Sequence, residues 1–157
     1  MKTILRFIIN VSLIVWLGGI FFFGVIMAPS VFDVLSSMDG GSEFAGFIIT
    51  RALYPLNALG IISGCLILLA SAILHRKLFR VELILIVVML VLTFTSRNYI
   101  TPHMEAIRNS VARLDQLQIT DERRVEFDRL HSWNSWSEGA ILFLGLFVVG
   151  MESRKQE

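Results

Sequence analysis

Cysteine, proline, histidine and charge are all scarce in this chain. It holds one cysteine, three prolines and three histidines in 157 residues, and only 17% of its residues are charged. Cys65 stands alone inside an apolar run, which excludes a disulfide framework. Soluble domains carry about a quarter charged residues. A chain with 17% charged against 55% hydrophobic residues is not an ordinary soluble domain. The formal net charge of +1 hides a segregation of signs along the chain and leaves no basic patch, so nucleic acid is not an expected partner. Nucleotide-binding loops, a nucleophile elbow and zinc signatures are missing, so the common soluble-enzyme classes drop out and no enzyme is expected. No small-residue cleavage site closely follows a short apolar core near the N-terminus. The first apolar run is therefore expected to be a retained span and not a cleaved leader.

Long hydrophobic runs are what the chain has in abundance. Four of them, at residues 4–32, 47–74, 81–100 and 133–151, reach or approach the ~20 residues that cross a ~30 Å hydrocarbon layer. Lipid offers backbone polar groups no partner, so each run must be a helix. The expected fold is all-α, an integral membrane antiparallel four-helix bundle forming a single domain over residues 1–157. Lys2 and Arg6 precede the first run, Arg76, Lys77 and Arg80 fill the second connection, and Arg154 and Lys155 follow the last run. The first connection has neither lysine nor arginine. The positive-inside rule then places both termini in the cytoplasm. The third connection mixes Arg108, Arg113, Arg123, Arg124 and Arg129 with Glu105, Asp115, Asp121, Glu122, Glu126 and Asp128, and is expected outside. Within it Met104, Ile107, Val111, Leu114 and Leu117 keep helical spacing. Thr120 ahead of Asp121 and Glu122 reads as a helix cap. Helices three and four are thus expected to extend beyond the membrane on the outer side and to turn near 118–120. The first connection is expected to turn at "MDGG", with Ser42 as the cap that follows.

Pro29, Pro55 and Pro102 all fall towards the outer side. Each frees the carbonyl four residues earlier, and together they predict kinks that splay the outer half of the bundle around a cavity. Membrane helices also carry proline without such a consequence, so both readings stand. Gly18, Gly19 and Gly24 on the first helix, with Gly60 and Gly64 on the second, predict close backbone packing. Polar residues inside spans are costly and are functional candidates by default. Thr93, Arg97, Thr101, Met104 and Arg108 share one expected stripe of the third helix. His131, Ser135 and Glu138 follow one another at i, i+4 and i+7 on the fourth, with Asn134 beside them. The second helix adds Arg51, Tyr54 and Asn57. An Arg97–Glu138 or Arg51–Glu138 pair is expected to keep that carboxylate from being an isolated charge, with His131 capping the network. The same residues also suit a network that only fixes helix register, with His131, Trp133 and Trp136 as interfacial anchors.

Several stretches carry a family resemblance. "WLGGIFFFGVIMAPSVF", "ITPHMEAIR" and "FDRLHSWNSW" resemble the first helix, the third-helix exit and the last-helix entry of the bacterial relatives of transmembrane protein 205. "WLGG" is also similar to the wider copper-resistance-D-like group of membrane proteins. The resemblance runs the length of the chain in order. It implies a four-helix protein of the bacterial inner membrane, and an association with resistance to, and export of, soft metal ions. The matching positions are Trp16, Gly18, Gly19, Pro29, Phe32, Pro102 and His131. Of these only His131 has chemistry of its own. The family's metal-handling animal members are associated with cysteine-containing helices, whereas this chain has Cys65 alone.

Soft ions accept thioether, thiolate and imidazole ligands. The candidates here are His131, Met104, His103, Met27 and Cys65. No Met-x-x-Met, Cys-x-x-Cys or His-x-x-x-His motif accompanies them, and methionine is a common core filler. The expected role is therefore transporter-like or binding, for a soft metal ion of copper or platinum type or a small cation. The expected site is an outward-facing polar cavity formed by Arg97, His131, Asn134, Ser135, Glu138, Asn57 and Arg51. A homo-oligomer within the lipid bilayer is expected, because so small a bundle gives a pathway thin walls. Two alternatives remain: a b-type haem protein ligated through His103–His131 or His131–Met104, and a non-catalytic accessory or assembly subunit.

Overall fold

A computed structural model describes residues 1–74, 81–111, 113–114 and 116–153. Four helices make up almost all of it: α1 (Lys2–Leu35), α2 (Gly41–Leu74), α3 (Val81–Asn109) and α4 (Glu122–Ser153). Each is long and apolar enough to cross a membrane, and no strand occurs among the described residues. Large apolar side chains such as Phe7, Ile14, Leu69, Phe94 and Phe143 stand exposed around the outside. An apolar girdle of that extent suits lipid and not water. The basic residues Arg76, Lys77, Arg80, Arg154 and Lys155 used for orientation, with His75 and Asp115, lie outside the described residues.

The helix ends correct the sequence reading in three places. First, α2 begins at Gly41, one residue ahead of the expected cap Ser42. The turn before it depends on Gly40, at φ +71°, whose carbonyl accepts the N–H groups of Glu43 and Phe44. That left-handed conformation is open to glycine at little cost. Second, α3 stops at Asn109 and does not run on to 118. Ser110 folds back there, donating its N–H to Ala106 and its hydroxyl to the Ile107 carbonyl at 2.7 Å. Val111, Leu114 and Leu117 still pack with Ile100, Met104 and Phe127, but from a non-helical segment. Third, Asp121 caps α4 in place of Thr120, its Oδ1 accepting the Arg123 N–H at 2.9 Å. The Arg123 side chain and N–H together hold the Asp121 carboxyl below the ordinary carboxylate range.

Two of the prolines are met by the same local device. A π turn, Phe22–Met27, precedes Pro29 in α1, and a second, Ser96–Ile100, precedes Pro102 in α3. Proline lacks an N–H, and its ring crowds the carbonyl four residues back. Widening the preceding turn relieves that crowding while the flanking N–H groups keep partners. The Ala28 N–H accordingly reaches the Phe23 carbonyl, and the Thr101 N–H the Ser96 carbonyl, five residues back in each case. α2, by contrast, runs unbroken through Pro55.

The two connections 36–40 and 110–121 share one end of the molecule. Arg113 pairs with Asp39 at 2.8 Å, and Glu43 Oε2 accepts the Leu114 N–H at 3.2 Å. Towards the other end the helices pack tightly, and Ile9, Leu13, Trp16, Ile20, Ile67, Ile86, Met89, Ile141 and Val148 form the core. A Cβ on Gly60 would lie 2.6 Å from Trp16 Nε1, and one on Gly64 2.5 Å from Leu90 Cδ2. Gly145 of α4 likewise receives Leu17. Gly19 is snug, with Leu56 3.1 Å from where its Cβ would be, but nothing approaches within 4 Å of a Cβ on Gly18 or Gly24. The close approach is thus made by Gly60, Gly64 and Gly145 around Trp16 and Leu17, and Gly18 and Gly24 take no part.

This contrast gives a direct test. Gly60→Ala forces Trp16 to move and is expected to lower thermal stability in mild detergent by about 1–3 kcal/mol, the usual cost of overpacking a filled core. Gly18→Ala meets open space and is expected to leave the melting temperature unchanged or slightly raised.

Candidate functional site

At the end bearing the two connections the helices part. Beyond Phe21, Ala28–Leu35 packs on α2, the Phe22–Met27 turn makes no close backbone approach to another helix, and neither part approaches α3 or α4, whereas Lys2–Phe21 packs on both α2 and α4. The space left between α1 and α4 is a cavity of ≈ 610 Å³. Its α1 wall is apolar, with Phe23, Gly24, Ala28, Pro29 and Phe32. Its α4 wall is polar, with Asp128, His131, Asn134, Ser135 and Glu138. Met104, Arg108, Glu43 and Thr50 close the floor from α3 and α2.

A chain of buried hydrogen bonds runs from the middle of the bundle into the α4 wall. Asn57 Nδ2 donates to Ser96 Oγ at 3.2 Å, and Ser96 Oγ donates to Asn134 Oδ1 at 2.5 Å. Asn134 Nδ2 in turn donates to Glu138 Oε1 at 2.9 Å. Asn57, Ser96 and Asn134 are all buried, one on each of α2, α3 and α4. Because each amide and hydroxyl is used in one sense, the chain fixes Asn134 with its NH₂ group towards Glu138. The carboxylate is therefore aimed by Asn134, which is itself held from behind by Ser96 and Asn57, groups that do not line the cavity.

The expected Arg97–Glu138 and Arg51–Glu138 pairs do not form. Arg97 donates to the backbone carbonyl of Tyr54 and lies over the Tyr54 ring, 6.0 Å from its centroid. Tyr54 Oη donates to Glu105 at 2.8 Å, and Arg51 is exposed nearby on α2. Arg97, Arg51, Tyr54 and Glu105 thus make a separate polar group on the α2–α3 face. The buried stripe of α3 takes the i+3 position from Thr93, Ser96, where the π turn begins, and continues at Thr101 and Met104, while Arg97 lies to the side. Among the described residues no cation pairs with Glu138.

Arg108 holds the cavity floor. Its Nε pairs with Glu43 at 3.1 Å, its Nη1 donates to Thr50 Oγ1 at 2.8 Å, and its guanidinium lies 5.0 Å from the Phe127 centroid. It also packs over Gly46, where any Cβ would collide with it. One side chain from α3 thereby ties α2 and α4 together. Across the opening Arg124 pairs with Asp128 at 4.0 Å. Neither Glu43 nor Ser96 was expected in the site. The Glu43–Arg108 pair could be anticipated from opposite charges near two span ends, and Ser96 from its place three residues beyond Thr93.

The soft-ligand candidates are dispersed. His131 and Met104 both line the cavity. His103 turns away on α3, exposed, with Nδ1 2.7 Å from the Tyr99 carbonyl and its ring tilted against that of Tyr99, 4.3 Å between centroids. Cys65 is exposed on α2, and neither it nor Met27 lines the cavity. The His103–His131 pair expected for haem is thus not assembled. No group of three or more His, Cys, Asp or Glu side chains fit to hold a metal occurs among the described residues. His131 stacks parallel to Phe127, with 6.4 Å between centroids.

The profile of a domain of unknown function, DUF4149, matches residues 11–112. No curated protein and no solved structure matches the chain. The matched region takes in the cavity walls from α1, α2 and α3, together with Asn57, Ser96 and Arg108, and stops ahead of α4.

Removing Arg108 would leave Glu43 without its countercharge and Thr50 without its donor. Arg108→Met is expected to destabilise the protein by on the order of 3 kcal/mol, and Arg108→Met with Glu43→Gln by clearly less. Thermal unfolding of the two variants in detergent measures the difference.

Proposed function

The chain belongs to the DUF4149 family, and from that premise we propose that it is a multi-pass membrane protein that binds and translocates cations through the cavity between α1 and α4. One observation carries this reading: Glu138 faces the cavity with an aimed hydrogen-bond donor and, among the described residues, no cationic partner. Ionised groups withdrawn from water are costly unless paired. A carboxyl group left open in this way is completed by a proton or by a cation arriving from outside the protein, and exchange between the two is what translocation requires. His131 and Met104 in the same cavity give a soft monovalent ion an imidazole and a thioether to add to that carboxylate. This is the part of the soft-metal expectation, and of the resemblance to transmembrane protein 205 relatives, that the geometry favours. A relay through Cys65 is not favoured.

In this reading the helices form an antiparallel bundle, with both termini in the cytoplasm and the connections 36–40 and 110–121 outside. The absence of lysine and arginine from the first connection supports that orientation, as do Lys2 and Arg6 at the other end. We infer the bacterial inner membrane as its location. The exposed apolar faces of the helices suit lipid or a second copy of the chain, and a homo-oligomer would thicken the wall of the pathway.

Two measurements test the proposal, both in a Cys65→Ser background. Ser135 is exposed on the cavity wall, whereas Ser137 is buried and donates to the Trp133 carbonyl at 2.8 Å. Ser135→Cys is expected to react with a membrane-impermeant maleimide applied to the outside of cells, and Ser137→Cys is not. Reaction of Ser135→Cys only in inside-out vesicles would reverse the orientation. Ag⁺ binding to the purified protein, followed by calorimetry, is expected to weaken at least tenfold in Glu138→Gln and several-fold in His131→Ala. Unchanged affinity in both would sink the cation reading.

A further inference from the structure

The proportions of the cavity point beyond a small inorganic ion. Its ≈ 610 Å³ falls among the roughly 300–1,000 Å³ sites that hold organic molecules. It also amounts to about twenty water volumes at ~30 Å³ each. A single ion at Glu138 would leave most of that space, including the whole α1 wall, to water. That wall offers water nothing: Phe23, Gly24, Ala28, Pro29 and Phe32 present no polar side chain. Such surface is stabilised by an apolar occupant.

The way in is equally informative. The outer part of α1 packs on α2 alone, so the slot between α1 and α4 opens sideways as well as towards the end that carries the connections. For a helix pair flanked by exposed Phe21, Phe22, Val25 and Ile26, sideways means into the hydrocarbon. A molecule dissolved in the bilayer reaches this cavity without crossing water.

Charge then selects among apolar ligands. Glu43 is paired with Arg108, and Asp128 with Arg124, which leaves Glu138 as the carboxylate in the lining without a countercharge among the described residues. An anionic amphiphile would be repelled there, and a neutral one would leave the carboxylate unmatched. Extending the cation reading above, on which this inference rests, we propose that the cavity is a laterally open site for an amphipathic organic cation. Its positive charge sits against Glu138 and its apolar part lies along Phe23, Ala28, Pro29 and Phe32. The shared chemistry is a positive centre on a hydrocarbon body, available either from a freely partitioning lipophilic cation or from the ammonium of a phosphatidylethanolamine headgroup.

Gly24 makes the inference testable apart from the small-ion reading. It lines the apolar wall, and a Cβ there meets nothing within 4 Å, so Gly24→Leu grows into the cavity and not into the fold. The experiment measures binding of radiolabelled tetraphenylphosphonium and of Ag⁺ to the Cys65→Ser protein in nanodiscs, with thermal unfolding as the control for folding. Tetraphenylphosphonium is expected to bind the parent protein and to bind Glu138→Gln at least tenfold more weakly. In Gly24→Leu the ratio of tetraphenylphosphonium to Ag⁺ affinity is expected to fall at least tenfold. An unchanged ratio in a folded Gly24→Leu protein would overturn the amphiphile site while leaving small-cation binding intact. Loss of effect in Glu138→Gln on both ligands would overturn both readings. Nanodiscs of phosphatidylglycerol with and without phosphatidylethanolamine separate the two sources. Competition by phosphatidylethanolamine identifies the lipid ammonium as occupant, and its absence identifies the free cation.

Discussion

A helix exposed to lipid must satisfy its backbone donors and acceptors within itself, and proline breaks that rule wherever it occurs. This chain meets the difficulty at Pro29 and Pro102 by widening the preceding turn to the π form. Much of the site follows from that adjustment. A π turn adds a residue to the helical step, so every side chain beyond it is rotated relative to an uninterrupted α-helix. In α3 the turn begins at Ser96, which joins Asn57 to Asn134, while the next residue, Arg97, reaches Tyr54. In α1 it sets Phe23 and Ala28 on the same wall.

The parts of the structure that obey simple periodicity were legible in the sequence. Four long apolar runs gave four helices, the glycines at 40 and 41 marked the first turn, and the small residues Gly60 and Gly64 marked the close contact with α1. His131, Asn134, Ser135 and Glu138 could be placed together because α4 is a regular helix throughout. The partners of Glu138 are not placed by that reading, because they depend on α3, where a stripe drawn at i+4 from Thr93 passes through Arg97 and the real one takes i+3 through Ser96, both of them regular helical steps. The end of α3 failed for a different reason. Val111, Leu114 and Leu117 keep helical spacing and pack on the core as that spacing suggests, Leu114 buried and the other two partly so, yet a serine that bonds to the preceding backbone ends the helix first.

Charge is distributed in the same economical way. The arginines that line the cavity, Arg108 and Arg124, each have an acidic partner. Arg108 touches α2 and α4 from its place on α3, and so binds three helices into one unit at the very depth where the fourth stands off. The polar residues of the spans therefore divide by task. The Arg108 group holds helices together, the Arg97 group seals the α2–α3 face, and the chain through Asn134 positions a single carboxylate.

The turn at Gly40 has a mechanical consequence for α1. Gly41 begins α2 hard against the Leu35 carbonyl, so the far end of α1 is clamped to the start of α2. Its near part is wedged through Trp16 into Gly60 and Gly64. Between those fixings the segment behaves as a beam pinned at both ends, which can bow but cannot swing. The π turn at Phe22–Met27 lies within the unsupported length and is where such a beam yields. Any change in the width of the slot is then expected to come from bowing of this one helix at the π turn, with no rigid-body movement of the bundle required.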